Sequence, residues 1–331
     1  MRVCLVSEKG RGLKPMDRPL ISICIPTFNR CGQLEKTVQS VIRQPEFADG
    51  RAELVICDNA SEDGTESCIR KIREQYPRIL YSRNEKNIRD ANFPNVLSLA
   101  NGRLRKLNND TLTLAPGALK MMCETVCRLD AVRPVVFWSN GFLKNPPEEM
   151  LDFRSFVTGA SYWSTWIGAF SIWEEDCGGL RDDLRGCEKN LWQVRKTYEL
   201  ASEKNSCLIV NQKFGSIREV PGKNISYGLY RIFYENFTGF LKPYLENGKI
   251  SPTDYEKVER DLLFGFFMEW MIKLERRKDS FRYAEGENLK ELIENRYKDK
   301  PYWEEFLKQY RRQKKLFVIR DGAKKVLGAK R

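Results

Sequence analysis

Short apolar runs alternate with amphipathic stretches over the first 140 residues. Leu20-Ile21-Ser22-Ile23-Cys24-Ile25 is a β-branched run that stops at Pro26-Thr27-Phe28-Asn29-Arg30. Over residues 33–43, Leu34, Val38, Val41 and Ile42 recur at helical spacing. Glu53-Leu54-Val55-Ile56-Cys57 predicts a second strand, closed by Asp58-Asn59-Ala60-Ser61. A helix over 63–75, a strand at Ile79-Leu80-Tyr81, a helix over 91–101 and a strand over 103–107 follow, with a polar stop at Asn108-Asn109-Asp110. Pro116 opens a helix through Met121, Met122, Val126 and Leu129, and Val135-Val136-Phe137-Trp138 reads as a further strand.

This alternation predicts an α/β fold with a mostly parallel sheet covered by helices. Ligands in such sheets sit beyond the carboxyl ends of the strands. Three polar sets fall there: Thr27/Asn29/Arg30, Asp58/Asn59 and Asn108/Asn109/Asp110. Residues 139–220 are less regular. They hold an aromatic run, Tyr162-Trp163-Ser164-Thr165-Trp166, a charged turn at Glu174-Glu175-Asp176, a Gly178-Gly179 pair and a helix-like stretch over 190–203. From 227 onward the pattern is helical and aromatic-rich, with helices expected over 227–246, 252–276, 286–297 and 301–315. The expected organisation is a loose leader over 1–18, an α/β domain over 19–222 and a helical region over 223–331, with the boundary near 222–226.

Composition narrows the chemistry. The chain has 331 residues, 57 Lys or Arg, 45 Asp or Glu, and no histidine, for a net charge of +12. Without histidine there is no Ser-His-Asp triad, no Cys-His pair and no HExxH zinc site. Any general base is a carboxylate or another non-imidazole group. Ten cysteines occur without a CxxC. Cys24 and Cys57 lie in apolar strands, where small core residues belong, and free thiols in a reducing cytosol are expected rather than a secreted disulfide framework. No continuous apolar segment of signal-peptide or membrane-span type is read. The expected location is cytoplasmic, with peripheral attachment to the inner face of the cell membrane.

Three motifs in order carry a family resemblance. Ile23-Cys24-Ile25-Pro26-Thr27-Phe28-Asn29-Arg30 resembles the opening of family 2 glycosyltransferases. Val55-Ile56-Cys57-Asp58-Asn59-Ala60-Ser61-Glu62-Asp63-Gly64-Thr65 is similar to their second signature, and Asn84 to Ile88 with Asn92 and Ala100-Asn101-Gly102 to their third. The resemblance covers residues 19–140 well and is patchy from 150 to 200. It implies a GT-A fold over 19–222 that binds a nucleotide-sugar donor, UDP-linked by default, and transfers the sugar with inversion to a glycan or lipid-linked glycan in bacterial cell-surface polysaccharide synthesis.

By that resemblance, Pro26, Thr27, Asn29 and Arg30 line the base and ribose pocket, Asp58 faces the base edge, Asp63 lies near the ribose or diphosphate, and Asn87 and Arg89 lie near the pyrophosphate. The family's Asp-x-Asp stands here as Asn108-Asn109-Asp110. Asp110 is left as the metal ligand for Mg2+ or Mn2+, with Asn108 as a neutral oxygen. The catalytic base falls among Glu174, Glu175, Asp176, Asp182, Asp183 and Glu188, in the order Asp183, Glu188, Glu175. Trp166 and Gly168 shape the acceptor or sugar pocket.

Plainer readings stand beside these. Asp58 and Asp110 could be loop caps, Asp183 a solvated loop residue, and Trp163 and Trp166 core. A sugar-nucleotide-binding protein or degenerate transferase without turnover fits the lost first carboxylate. A basic nucleic-acid-binding protein fits the charge, but no C2H2, RRM or basic-zipper pattern is present, so no specific nucleic acid is expected. Residues 308–331 hold ten Lys or Arg against Asp321, interspersed with Leu316, Phe317, Val318 and Ile319. That pattern suits either an amphipathic segment drawn to anionic lipid or an ordinary basic tail. The aromatic-rich segments 227–246 and 261–276 could support an oligomer or cover the core.

Overall fold

A computed structural model describes residues 18–218, 228–276 and 288–328. The expected leader, apart from Arg18, and the expected boundary near 222–226 lie outside the described residues. The chain divides into two compact units, Met1–Val220 and Pro221–Arg331.

In the first unit the elements run β1 (Ile21–Thr27), α1 (Cys31–Ile42), α2 (Pro45–Ala48), β2 (Ala52–Asp58), α3 (Thr65–Gln75), β3 (Leu80–Arg83), α4 (Asn92–Ser98), β4 (Leu104–Leu107), β5 (Leu112–Leu114), α5 (Ala118–Leu129), β6 (Val135–Trp138), β7 (Glu148–Leu151), α6 (Phe153–Ala160), β8 (Ser171–Trp173), α7 (Trp192–Lys204), β9 (Cys207–Val210) and β10 (Gly215–Ile217). The main sheet has the order β3-β2-β1-β4-β8. Its first four strands are parallel and β8 is antiparallel to β4. Every residue of β1 is buried, as a central strand with both faces covered by helices must be.

The chain moves outward from β1 to β2 to β3, then returns to place β4 on the other side of β1. That reversal is a topological switch point, where the connections diverge and leave a crevice. β4 pairs with β1 only as far as Cys24, and the last main-chain bond runs from Asn108 N to the Cys24 carbonyl, 2.8 Å. Pro26, two residues on, presents its donorless nitrogen to that same side, where β4 has ended, so the missing N–H breaks no ladder bond. At the opposite end, Gly102 leads into β4 against Ser22. A Cβ there would stand 2.7 Å from the Ser22 backbone nitrogen and 2.9 Å from the Ile21 carbonyl carbon, so this approach requires glycine.

The strand expected at 135–138 forms as β6, but its main-chain partner is β9 in a second sheet of order β6-β9-β7. β8 takes the place beside β4 instead. Side chains join the two sheets: Trp138 Nε1 donates to Ser171 Oγ at 3.0 Å, and Ser171 Oγ donates to the Val136 carbonyl at 2.6 Å. β5 and β10 form a two-stranded antiparallel ribbon.

The second unit is helical. The expected 227–246 and 252–276 helices are each interrupted by a π-turn, at Arg231–Asn236 and Leu262–Phe267, before continuing as α8 (Phe237–Glu246) and, after α9 (Pro252–Asp261), as α10 (Met268–Arg276). α9 starts at a reciprocal cap between Ser251 and Asp254 with Pro252 in the first turn. α11 spans Leu289–Tyr297, and α12 runs from Trp303 to Gly328, past the expected end at 315. Inside this unit Glu259, 1% exposed, is surrounded by the Tyr234 hydroxyl, 2.6 Å, the Arg296 guanidinium, 2.5 Å, and the Lys300 ammonium, 3.4 Å.

Candidate functional site

The three polar sets meet at the switch point. Thr27 closes β1, and its hydroxyl donates to Asp110 Oδ2 at 3.1 Å, across the crevice between β1 and β4. The Asp110 carbonyl accepts from the Thr37 hydroxyl of α1 at 2.7 Å, which fixes the backbone carrying that carboxylate. Asn108 is fully buried, and its Nδ2 donates to the Asn109 and Leu112 carbonyls, both at 3.0 Å. Those two bonds leave Asn108 Oδ1 without a partner, and Asn109 Oδ1 is likewise buried and unbonded. Orphaned buried acceptors in a crevice point to a bound donor or cation.

Asp58 is also fully buried, with both carboxylate oxygens engaged. Ser61 N donates to its Oδ1 at 2.9 Å, while the Tyr81 hydroxyl, 2.9 Å, and the Arg83 guanidinium, 2.6 Å, occupy Oδ2. Burial and this carboxylate together push the Tyr81 hydroxyl far above its ordinary value. Asn29 adopts a left-handed conformation (φ 51°), which asparagine tolerates. Its Oδ1 accepts from Glu62 N at 2.7 Å, and its own N–H donates to Ser61 Oγ at 2.8 Å. The loops after β1 and β2 are thereby laced together. Arg30 is the residue that leads into α1. Asp63 serves the backbone: one oxygen accepts from Cys31 N at the start of α1, 2.9 Å, and the other from Thr65 at the start of α3. Burial pushes the Asp63 carboxyl up, but these hydrogen bonds hold it below the usual range.

An asparagine network carries the next wall. Asn59 Nδ2 donates to Asn87 Oδ1, 2.8 Å, and to the Arg89 carbonyl, 3.4 Å, while its Oδ1 accepts from Ile88 N, 2.8 Å, and Asn84 Nδ2, 3.0 Å. Asn92 anchors the network to the Cys57 carbonyl at 2.9 Å. Arg89 is held at φ 52° in the turn Arg89–Ala91. Asn87 and Arg89 are thus brought to the same strand ends as Asp58.

Trp166 is half-buried, 6.3 Å from the Phe214 ring in a stacked arrangement and 5.1 Å edge-on to Phe142. A Cβ on Gly168 would lie 2.5 Å from the Trp166 ring, so the glycine lets the indole fold over its own loop. Beneath this loop lies Lys106, a group without a sequence signal of its burial. It is fully buried, its ammonium donates to the Gly168 carbonyl, 2.7 Å, and the Leu107 carbonyl, 3.0 Å, and it stands 4.7 Å from the Phe214 ring centre. Burial pushes its pKa down to about 7.

The acidic candidates separate. β8 runs away from the crevice, so Glu174, Glu175 and Asp176 emerge at the opposite end of the sheet, where Glu174 N bonds the Arg103 carbonyl. The structure therefore does not bring Glu175 to the site; its carboxylate pairs with Arg133 and Lys204. Asp183 is clamped by Arg195, 2.7 Å, and Arg185, 3.0 Å, with Lys196 at 3.9 Å. Burial raises its carboxyl, but the two arginine bonds bring it below the usual range. Glu188 lies in the turn Cys187–Lys189, which packs on the turn Arg89–Ala91. Among the described residues no group of three or more His, Cys, Asp or Glu forms a metal cluster. The oxygens at 108–110 are hard donors with one carboxylate among them, a set that fits Mg2+ or Mn2+ only with further oxygens from a bound diphosphate.

Residues 22–169 match the family model "Glycosyl transferase family 2". The chain is 47% identical over 85 residues to abequosyltransferase RfbV of Salmonella typhimurium, 25% of each chain. It is 32% identical over 108 residues to GalNAc(5)-diNAcBac-PP-undecaprenol beta-1,3-glucosyltransferase of Campylobacter jejuni, covering 32% of this chain and 34% of the relative. The matched stretches thus span about a quarter and a third of those relatives' length. Among solved structures, the mannosyltransferase PcManGT of Pyrobaculum calidifontis, in complex with GDP-Man and Mn2+, superposes with a TM-score of 0.52 at 18% identity over 93% of this chain and 87% of that one. TarS of S. aureus gives 0.50 at 16% identity over 74% and 44%. The first unit has the GT-A fold.

Proposed function

We propose, on the match of residues 22–169 to the family 2 glycosyltransferase model, that the chain moves a sugar from a UDP-linked donor to a glycan hydroxyl in bacterial cell-surface polysaccharide synthesis. The observation that carries this reading is the Thr27–Asp110 bond across the switch point, flanked by orphaned oxygens of Asn108 and Asn109. A lipid-linked acceptor is suggested by the Campylobacter relative, whose name contains a PP-undecaprenol.

In this reading Thr27, Asn29 and Arg30, with Pro26 behind them, border the nucleoside, and Asp58 shapes that border through Ser61 and Tyr81. Asn87 and Arg89 hold the diphosphate. Asp110, with the amide oxygens beside it, would hold Mg2+ or Mn2+, which supplies charge neutralisation for the leaving diphosphate when bound. Trp166 offers an aromatic wall to the sugar or acceptor. Glu188 is assigned as the base: it alone of the three leading carboxylates lies on a turn packed against the donor side and outside an arginine clamp. The acceptor oxygen attacks the anomeric carbon, the bond to the diphosphate oxygen breaks, the proton passes to Glu188, and configuration inverts.

A panel of nucleotide sugars, each with Mg2+, Mn2+ or EDTA, tests the reading through release of nucleoside diphosphate. Asp110→Ala is expected to lower release by about 100-fold or more with the fold intact. Asn108 and Asn109 favour a second reading, a donor-binding protein without turnover. Donor binding with no release under any metal would select it, and no binding at all would sink both.

A further inference from the structure

One ammonium joins the parts that place the Trp166 indole. Lys106 lies in β4, two residues before the polar set that opens at Asn108, and pairs in register with Ser171 of β8. The turn Ile167–Ala169 packs on this strand. Its backbone is closed by bonds from Ala169 N to the Trp166 carbonyl, 3.0 Å, and from Phe170 N to the Ile167 carbonyl, 3.2 Å, and it docks through Leu107 N to the Phe170 carbonyl, 3.0 Å. None of those bonds uses the Gly168 carbonyl. Lys106 Nζ donates to it at 2.7 Å. A second bond goes to the Leu107 carbonyl at 3.0 Å, and the Phe214 ring centre lies 4.7 Å away. A lysine ammonium has three donors, and two carbonyls and an aromatic face surround them here. Phe214 is fixed independently: its N–H donates to Asn140 Oδ1, 2.9 Å, and its carbonyl accepts from Ala115 N, 2.8 Å. Its ring also stacks on Trp166 at 6.3 Å. Lys106 therefore touches both supports of the indole, the loop that carries it and the ring it lies on.

We propose that Lys106 is a positioning residue that seats the Trp166 loop on β4, the strand whose end carries Asn108, Asn109 and Asp110. The role of Trp166 as a wall for sugar or acceptor rests on the function proposed above; the seating of the loop does not. Stability is a poor account of this lysine. Its hydrogen-bond partners are carbonyls rather than a carboxylate, and a fully buried ammonium without an opposing charge costs more than an apolar side chain of the same length. A methionine would avoid that cost. It would also leave the carbonyl of Gly168, a buried residue, without the donor that fixes its direction. The ammonium thus contributes placement, at the junction of three segments far apart in the chain.

Fluorine NMR of the full chain labelled with 5-fluorotryptophan reads the seating without any ligand. Seven resonances are expected, that of Trp166 being the one lost in Trp166→Phe. In Lys106→Met the Trp166 resonance should move toward that of free 5-fluorotryptophan, while those of Trp173 and Trp303 stay in place. Amides of residues 167–170 should exchange with deuterium about tenfold faster, with those of β2 unchanged. An unmoved Trp166 resonance or unchanged 167–170 exchange overturns the proposal. Collapse of all seven resonances would make Lys106 a folding residue and overturn it too. For any nucleotide sugar turned over in the panel above, Lys106→Met should lower kcat about tenfold with the donor KM within about twofold. In a Trp166→Ala background the same substitution should cost less than about twofold; an equal loss in both backgrounds would mean that Lys106 acts other than through the indole. If no nucleotide sugar is turned over, the proposed function fails, while the fluorine and exchange results still decide the seating.

Discussion

Lys106 shows what a single residue hides in a sequence. Its neighbours Arg103 and Arg105 are equally basic, yet only Lys106 turns inward to the Gly168 carbonyl and the Phe214 ring. Those partners lie about 60 and 110 residues away, so no local pattern reveals the burial. The native ammonium binds its proton less tightly than the unfolded one, so between pH 7 and the ordinary lysine range the unfolded chain holds more protons. Native stability from this group rises across that window. The Tm difference of Lys106→Met minus wild type should be most positive at pH 6 and fall by about 4 °C or more by pH 10, as read by differential scanning calorimetry. A constant difference would place the ammonium in water. The polar sets at 27–30, 58–59 and 108–110 were legible because strand ends are marked by the stop of an apolar run.

At the scale of elements, β1 to β4 and β6 were readable from their apolar runs, while the short strands β5 and β7 to β10, and the direction of β8, were not. Ser171–Trp173 is three residues long, and no periodicity distinguishes a parallel from an antiparallel course. That one direction decides whether Glu174, Glu175 and Asp176 face the crevice or the far edge. The main sheet's order was equally silent, since β6 (Val-Val-Phe-Trp) is more apolar than β4 (Leu-Arg-Lys-Leu) and still joins another sheet. The turn before β4 carries a sharper signal in Gly102. Gly102→Ala must push its new methyl against the Ser22 backbone, and also disturbs the 2.8 Å bond from Gly102 N to Ser22 Oγ. A loss of about 1–3 kcal/mol is expected from urea unfolding, with donor-site residues at the other end of β4 unaltered in position.

Across the whole molecule, the formal charge of +12 is uneven. Residues 308–331 carry ten basic groups against one acid, and α12 runs to Gly328. Among the described residues no helix is long and apolar enough to cross a membrane. An electrostatic hold on anionic lipid would then depend on this tail. Vesicles containing phosphatidylglycerol should co-sediment the full chain at low salt and release it as ionic strength rises, and truncation after residue 307 should abolish most binding. Equal sedimentation with neutral vesicles would argue for an apolar hold instead.

The central place of β1 bears on how the chain is made. β1 precedes every other described strand, and its β4 neighbour begins 83 residues later in the register Ile21↔Leu104. At ribosomal rates that interval lasts about 4–17 s. Throughout it, one edge of a mostly apolar strand waits without its partner, open to pairing with another nascent chain. Ser22 interrupts that run and Pro26 ends it. Pro26 beside the crevice and Ser22 at the other end of the strand thus also shorten the sticky stretch that a newborn chain exposes.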